Sequence, residues 1–140
     1  TVTGVEASPL LFGLVRWGLE NYGYRSQCLA HAAQRIHVQY GRHGEYLERC
    51  APGTFDAVYF DPMFDAAASV KGSSAMQRMR QIAVRDTLRN EDLERALRAA
   101  RRRVVVKARR AQEHDTSFHF FIPSGNSVGY GVIEAAGREV

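Results

Sequence analysis

The first fifty residues alternate between two hydrophobic periods, and each change of period marks a predicted element. Residues 2 to 6 form a short, mostly apolar run that ends in Glu6, and Ser8 followed by Pro9 is a favourable N-cap and first turn for a helix. Helical spacing then predicts a helix over about residues 8 to 22, with a buried stripe of Leu11, Leu14, Val15, Leu19 and Tyr22. The elements predicted next are a short helix over residues 29 to 36, a strand over residues 36 to 40 and helical turns over residues 44 to 49.

The stretch from Phe55 to Phe64, FDAVYFDPMF, follows a Pro-Gly break and is the centre of the predicted fold. Its first six residues predict a buried strand, and the next four, Asp61-Pro62-Met63-Phe64, predict a turn at the end of that strand. Open α/β sheets place their chemistry outside the carboxyl ends of their strands. The sequence therefore predicts a functional site at this turn.

The remaining elements complete an α/β pattern. Residues 65 to 74 carry no apolar period and predict a loop that leads into a helix over Met76, Met79, Ile82 and Ala83. Asn90 is the predicted cap of the next helix, whose buried stripe is Leu93, Ala96, Leu97 and Ala100. Residues 104 to 106 predict a strand covered on both faces, and two runs around residues 123 to 126 predict an edge hairpin. We expect a doubly wound α/β fold: a mixed sheet with helices on both faces and a C-terminal antiparallel hairpin.

Composition is that of one soluble domain covering residues 1–140, with 45% hydrophobic and 24% charged residues. The sequence contains no run of about eighteen apolar residues and does not begin with a signal peptide, so we expect a cytoplasmic location and no membrane partner. Cys28 and Cys50 are far apart and are predicted to be buried thiols. The five histidines are scattered, and no metal site is predicted.

Positive charge is concentrated between Arg85 and Arg110. This segment holds ten basic and four acidic residues, whereas the whole chain has a net charge of +4. A basic surface binds polyanions because it displaces counterions from phosphates, so the segment favours nucleic acid as a partner. The alternative is an arginine-rich helix face in solvent, with Arg101 to Arg103 complementing the carboxyl end of the helix.

The turn from Asp61 to Phe64 combines the groups that methylation of a base amine requires. A carboxylate and a carbonyl beside a proline-fixed turn accept the amine hydrogens, and an aromatic ring stacks on the base. In the alternative reading, Asp61 and Pro62 simply end the strand and Phe64 belongs to the core. The position after a buried strand and before a loop favours the functional reading.

Glu6 ends the first predicted strand. An acid at the end of the second strand of a nucleotide-binding sheet, the position that Glu6 occupies, can accept both ribose hydroxyl hydrogens, because a carboxylate offers two oxygens. The alternative is a carboxylate that favours the positive end of the following helix.

Three segments together resemble class I S-adenosyl-L-methionine-dependent methyltransferases: VEASP from Val5, the FDAVYFDPMF stretch, and RVVVK ending at Lys107. They are most similar to the RsmJ-type small-subunit ribosomal RNA guanine-N2 methyltransferases and their uncharacterised relatives. The resemblance covers most of the chain. It implies a Rossmann-like sheet and S-adenosyl-L-methionine as the methyl donor.

The resemblance also assigns roles to individual residues. It implies that Glu6 binds the cofactor ribose, that Ala7 lies near the adenine, and that Asp61 lies close to the transferred methyl. The expected catalytic residues are Asp61, Pro62, Met63 and Phe64. The expected contacts to the substrate, foremost ribosomal RNA, are Phe64, Lys71, Lys107, Arg109 and Arg110.

The chain departs from the family pattern in two places. The family begins with a strand and a glycine-rich loop that hold the cofactor's methionine part, and nothing before Glu6 can form them. We therefore expect a fragment with its first strand missing, a gap between the strands that end at Glu6 and Phe60, and weak cofactor binding by these 140 residues alone. Arg42 stands where many class I enzymes carry an aspartate for the adenine amine.

Other functions compete with methylation of an RNA base amine. The substrate of the same enzyme class is alternatively DNA, protein or a small molecule, and the arginine-rich segment favours RNA. A nucleic-acid-binding module without catalysis is a second alternative. A dinucleotide-dependent oxidoreductase would share Glu6 but gives Asp61 to Phe64 no role.

Overall fold

The computed structural model describes residues 1–62, 78, 81–84, 87–112 and 114–135. Its described residues form two compact units, which are considered separately. The first contains residues 1–46 with 78 and 81–84, and the second contains residues 47–62, 87–112 and 114–135. The prediction of a single domain stays a prediction.

The first unit contains a two-stranded parallel sheet and its helices. Strands β1 and β2 pair in parallel, from Val2 opposite Ile36 to Glu6 opposite Tyr40. The elements in chain order are β1 (Val2–Glu6), α1 (Pro9–Asn21), α2 (Gln27–Ala33), β2 (Ile36–Tyr40) and α3 (His43–Arg49), the last of which continues into the second unit. All five confirm the elements predicted for this part of the chain.

Ser8 begins helix α1 as its sequence predicts. The Ser8 Oγ accepts a hydrogen bond from the Leu11 N–H at 3.4 Å and donates one to the Ile82 carbonyl at 2.6 Å. The same hydroxyl therefore caps the helix and ties it to a segment that is distant in sequence.

The predicted buried stripe of α1 is wrong for most of its members. Leu11 is buried, whereas Leu14 is 56% exposed and Val15 is 46% exposed. The described part of this unit offers the helix only two short strands to pack on, and so small a sheet covers one line of side chains rather than a full face.

The second unit is built on a four-stranded mixed sheet. Its elements are β3 (Phe55–Phe60), α4 (Asn90–Ala99), β4 (Ala100–Arg109), a 3₁₀ turn (Arg110–Gln112), β5 (Phe120–Ser124) and β6 (Val128–Glu134). The strand order is β3-β4-β6-β5, with β3 and β4 parallel and the other pairs antiparallel. This confirms the strand at Phe55 and the edge hairpin. The prediction that the strand is buried is wrong: only Phe60 is buried, and Asp56, Ala57 and Tyr59 are exposed, because β3 is the end strand of the described sheet. The described strands form two sheets, and the expected gap between the strands that end at Glu6 and Phe60 stays a prediction.

Helix α4 packs on β3 and β4 through small side chains. Ala96, Ala99 and Val104 are fully buried, and Phe60 and Ile133 belong to the same core cluster. Alanines bring the helix close to the sheet, so the β-branched side chains of β4 fill the space between them.

Two boundaries of this helix and strand differ from the prediction. The N-cap is Arg89 rather than Asn90, and its backbone N–H donates to Asp92 Oδ2 at 3.1 Å. Strand β4 begins at Ala100, which is extended and pairs with Phe55, so residues 101 to 103 belong to the strand and not to the end of the helix.

The two cysteines are not both buried as predicted. Cys28 is exposed because it lies on α2, a short helix of which only Ala33 is buried, and Cys50 is half-buried. The described residues contain no group of three or more His, Cys, Asp or Glu that could hold a metal ion. None of their helices has the length and apolar character needed to cross a membrane.

The loop predicted over residues 65 to 74 lies outside the described residues. Of the helix predicted from Met76 to Ala83, residues 78 and 81 to 83 are described; residues 78, 81 and 82 are helical, and Ala83 is in a bend.

Two glycines of β6 leave room for aromatic rings, and a substitution there tests the packing. A Cβ at Gly129 would collide with the Phe121 ring and lie 2.7 Å from the Ile122 carbonyl oxygen, which the β5–β6 pairing holds in place. We expect Gly129→Ala to lower the free energy of unfolding by about 1–3 kcal/mol, the usual cost of overpacking.

Gly13→Ala is the matched control, measured in the same urea titration. A Cβ at Gly13 meets nothing within 4 Å, and the residue lies in helix α1, so this variant should gain about 0.5–1 kcal/mol. Equal stability of Gly129→Ala and the parent protein would contradict the described β5–β6 packing.

Candidate active site

Asp61 and Lys107 meet at the carboxyl edge of the two parallel strands. Asp61 follows β3 directly, and Lys107 lies one residue beyond Val106, which pairs with Phe60. The Lys107 Nζ is 2.8 Å from Asp61 Oδ1, and both side chains reach solvent, with 31% and 52% of their surfaces exposed. The structure thus brings together two residues that the sequence had assigned to the site for separate reasons.

Two tyrosines lie beside this ion pair. Tyr59 precedes Asp61 by two residues on β3, and Tyr130 is opposite Lys107 in the β4–β6 register. Their ring centroids are 6.4 Å apart at an interplanar angle of 48°. Neither tyrosine was among the residues predicted for the site. Strand alternation places Tyr59 on the same face as Asp61, but the position of Tyr130 depends on a register between strands that are separated along the chain.

The four side chains influence one another electrostatically. The hydrogen bond to Asp61 raises the pKa of Lys107 above its ordinary value, and partial burial opposes this shift without cancelling it. Burial raises the pKa of the Tyr59 phenol, and the negative charge of Asp61 raises it further. Both shifts favour a charged Lys107 ammonium and a neutral Tyr59 phenol at neutral pH.

Pro62 is described and half-buried next to Asp61. Met63, Phe64 and Lys71 lie outside the described residues, so their predicted roles at the base and on RNA stay predictions.

Glu6 lies at the end of β1, in the first unit. Its Oε1 accepts a hydrogen bond from the Ser8 N–H at 2.7 Å, so the carboxylate supports the start of α1 as the alternative reading expected. One oxygen is engaged in this way, and the other is the oxygen that a ribose hydroxyl would use. Ala7 is half-buried between the strand and the helix. Glu6 and Asp61 belong to different units, and the cofactor roles of Glu6 and Ala7 stay predictions.

Part of the arginine-rich segment is committed to the fold. Arg98 donates to the Leu47 and Glu48 carbonyls at 3.1 and 2.9 Å, and Arg101 donates to the Gly53 carbonyl at 2.7 Å. These arginines hold the end of α3 and the turn before β3, at the opposite end of the strands from Asp61. The segment is therefore neither wholly a solvated face nor wholly an RNA surface.

Arg109 and Arg110 follow Lys107 at the end of β4. The Arg109 N–H donates to Gln112 Oε1 at 3.0 Å, and the Arg110 N–H donates to the Ser127 carbonyl at 3.0 Å. These contacts fix the backbone there, and the expected contacts of the two side chains with RNA stay predictions.

A comparison with protein families decides the identity. Residues 1–117 match the family described as "Putative SAM-dependent methyltransferase", in which SAM is S-adenosylmethionine. The chain belongs to this family. Family membership confirms the resemblance to S-adenosyl-L-methionine-dependent methyltransferases, and the family description implies S-adenosyl-L-methionine as the cofactor.

Curated relatives of this chain agree with the RsmJ-type resemblance. The chain is 35% identical over 109 residues to a ribosomal RNA small subunit methyltransferase J of Marinobacter nauticus, covering 76% of this chain and 38% of the relative. It is 37% identical over 111 residues to the protein of the same name from Thioalkalivibrio sulfidiphilus, covering 76% and 42%.

The uncharacterised protein YpiP of Bacillus subtilis is 30% identical over 138 residues, covering 97% of this chain and 53% of YpiP. The chain thus spans between 38% and 53% of the length of these three relatives.

A solved structure confirms the fold class. The crystal structure of a SAM-dependent methyltransferase from Neisseria gonorrhoeae matches with a TM-score of 0.59 and 24% identity, covering 99% of this chain and 57% of that one. The chain therefore has the predicted Rossmann-like fold.

Removal of the Asp61 charge tests the ion pair directly. Asp61→Asn should lower the pKa of Lys107, because the hydrogen bond to the carboxylate is the largest cause of its elevation. The chain has two lysines, so ¹³C-lysine labelling gives two titrating signals, which Lys71→Arg assigns. Asp56→Asn, which changes an exposed carboxylate at the other end of β3, should leave the Lys107 titration unchanged.

Since the Lys107 pKa is raised in the folded state, the pair stabilises the fold below the unfolded lysine value of 10.5. This contribution disappears as the pH rises through the higher folded value. An unchanged Lys107 titration in Asp61→Asn would show that the pair does not form in solution.

Proposed function

We propose that the full-length protein transfers a methyl group from S-adenosylmethionine to an exocyclic amine of an RNA base. Small-subunit ribosomal RNA is the proposed substrate and guanine N2 the proposed atom, in a cytoplasmic setting. The observation that carries the proposal is the half-exposed Asp61 carboxylate at the carboxyl edge of β3, held at 2.8 Å by Lys107. The two relatives named ribosomal RNA small subunit methyltransferase J support the choice of RNA.

Methylation of an exocyclic amine requires a hydrogen-bond acceptor for the amine rather than a strong base. An exocyclic amine has two N–H groups, and its lone pair becomes available when an acceptor binds one hydrogen and turns the nitrogen toward the electrophile. In our proposal Asp61 is this acceptor. Lys107 binds its Oδ1, and Oδ2 accepts the hydrogen bond from the base amine. After methyl transfer the nitrogen is positively charged and must lose a proton. The Asp61 carboxylate can receive this proton or pass it to water.

The cofactor would be held in part by Glu6. When bound, S-adenosylmethionine supplies an electrophilic methyl on a sulfonium sulfur. The Glu6 carboxylate fits a ribose diol, because Oε1 is fixed by the Ser8 N–H and the remaining lone pairs accept hydroxyl hydrogens. The adenine-binding role of Ala7 rests on the family resemblance.

RNA binding would use the positive charge near the carboxyl edge. Arg109 lies two residues after Lys107, at the end of β4, and Arg110 follows it; both guanidinium groups suit phosphates. Arg98 and Arg101 are excluded from the core of this surface, since their guanidinium groups hold backbone carbonyls at the far end of the strands. Phe64 would stack on the base, and Lys71 would add a further phosphate contact.

A second candidate keeps the enzyme class and changes the substrate to DNA, protein or a small molecule. The positive charge between Arg85 and Arg110 favours a nucleic acid over the last two. A binding module without catalysis is the remaining candidate, and it predicts that Asp61 is dispensable for what the protein does.

Asp61→Asn separates catalysis from binding. In the full-length protein this variant should lower kcat for methyl transfer to ribosomal RNA on the order of 100-fold or more, the typical effect of removing one positioned polar group. RNA affinity should change by less than about twofold, because no phosphate contact is removed. The rate is measured with tritiated methyl donor, and the affinity by filter binding.

Asp56→Asn is the matched control for that variant. Asp56 lies on the same strand, its side chain is 75% exposed, and its 3.5 Å contact is with Arg101 at the other end. It should keep the parent rate. Full activity of Asp61→Asn would contradict the proposed role of Asp61 as acceptor. If the parent protein transfers no methyl group and Asp61→Asn binds RNA as tightly as the parent does, the binding module is favoured.

Glu6→Gln tests the cofactor role in the first unit. Loss of charge-assisted hydrogen bonds to the ribose should weaken S-adenosylmethionine binding about 10- to 100-fold in calorimetry. Glu20→Gln, which changes an exposed carboxylate paired with Arg16, should bind like the parent protein. Equal affinity of Glu6→Gln and Glu20→Gln would show that Glu6 serves only the start of α1.

A further inference from the structure

The Lys107 ammonium is paired with Asp61, the proposed acceptor. The side chain leaves β4 between β3 and β6, so strands flank it on both sides. Its Nζ reaches Asp61 Oδ1 at 2.8 Å, and 31% of the side chain is exposed. A lysine whose charge is already engaged at this distance is a poor phosphate contact, because binding a phosphate would require breaking the pair.

Two tyrosine rings beside Lys107 restrict the conformations of its side chain. Tyr130 is opposite Lys107 on β6, and Tyr59 lies on β3 two residues before Asp61, so the two rings stand on the same face as the lysine stem. The ring centroids are 6.4 Å apart. The electrostatic influence of both phenols on Lys107 is consistent with this closeness.

We propose that Lys107 is a positioning residue, which binds Asp61 Oδ1 and thereby presents Oδ2 to the amine of the substrate base. This role rests on the proposed function, since it presumes that Asp61 accepts a base N–H. It replaces the expectation that Lys107 contacts RNA. Lys107 would act through Asp61 alone and would touch neither the base nor the backbone of the RNA.

The geometry gives this role a physical reason. An aspartate that follows a strand has two rotatable side-chain bonds, and half of the Asp61 side chain is exposed to water. One fixed oxygen removes most of that freedom, so the second oxygen is held within the small tolerance that methyl transfer demands. The partner must come from β4, because β4 is the parallel neighbour of β3 whose carboxyl end lies at the same edge.

The test compares two variants of Lys107 in the full-length protein. Lys107→Met keeps the length of the stem and removes the charge, and it should lower kcat about 10- to 100-fold, as loss of an outer partner of a reacting group typically does. KM for RNA and for S-adenosylmethionine should stay within about twofold. Lys107→Arg restores a donor and should recover most of the rate. Arg16→Met, which removes an exposed charge paired with Glu20 on α1, is the control and should match the parent.

A double-mutant cycle with Asp61→Asn decides whether Lys107 acts through Asp61. If it does, Lys107→Met should cause no further loss of kcat in the Asp61→Asn background, because the two residues act as one unit. The salt dependence of RNA binding should be the same with and without Lys107.

Three results would overturn the proposal. A parent-like kcat in Lys107→Met would refute the positioning role. Losses that multiply in the double variant would refute action through Asp61. A raised KM for RNA with a salt slope reduced by about one would make Lys107 a phosphate contact. Absence of methyl transfer by the parent protein itself would instead refute the proposed function and this role with it, so the two failures are distinguishable.

Discussion

The parallel pairing of β3 with β4 is the interaction on which the proposed site depends. Parallel strands end at the same edge of a sheet, and the register that pairs Phe60 with Val106 places the next residue of each strand side by side. Those residues are Asp61 and Lys107. Their ion pair is thus a consequence of backbone hydrogen bonds, and a shift of one residue would turn the lysine to the other face.

The rest of the second unit holds this register. Helix α4 leads directly into β4 and packs on β3 and β4 through alanines, while Val104 fills the core beneath. At the far end, Arg98 and Arg101 bind the carbonyls of the segment that leads into β3. Arginines that the composition assigned to RNA therefore contribute to the geometry of the opposite edge, where the chemistry is proposed.

The elements that local patterns determine could be predicted from the sequence. The strand from Phe55 to Phe60 follows a Pro-Gly break, and α1 begins at a Ser-Pro pair; both were located to within about one residue. The position of Asp61 at a strand's end follows from the same pattern.

Contacts between distant segments could not be predicted in this way. The pairing of Lys107 with Asp61, the position of Tyr130 and the contact of Arg98 with Leu47 depend on register and on packing between elements. The exposure of Leu14 has a related cause. Helical periodicity shows which side chains share a face, but whether that face is covered depends on the elements beside it.

The measurement that tests the account most directly is the identity of the methylated product. The full-length protein would be incubated with small-subunit ribosomal RNA and a donor carrying a ¹³C methyl, and the RNA digested to nucleosides for mass spectrometry. The account predicts one labelled methyl on an exocyclic nitrogen of a base. Label on a ribose oxygen, or RNA without label while another substrate class is methylated, would contradict it.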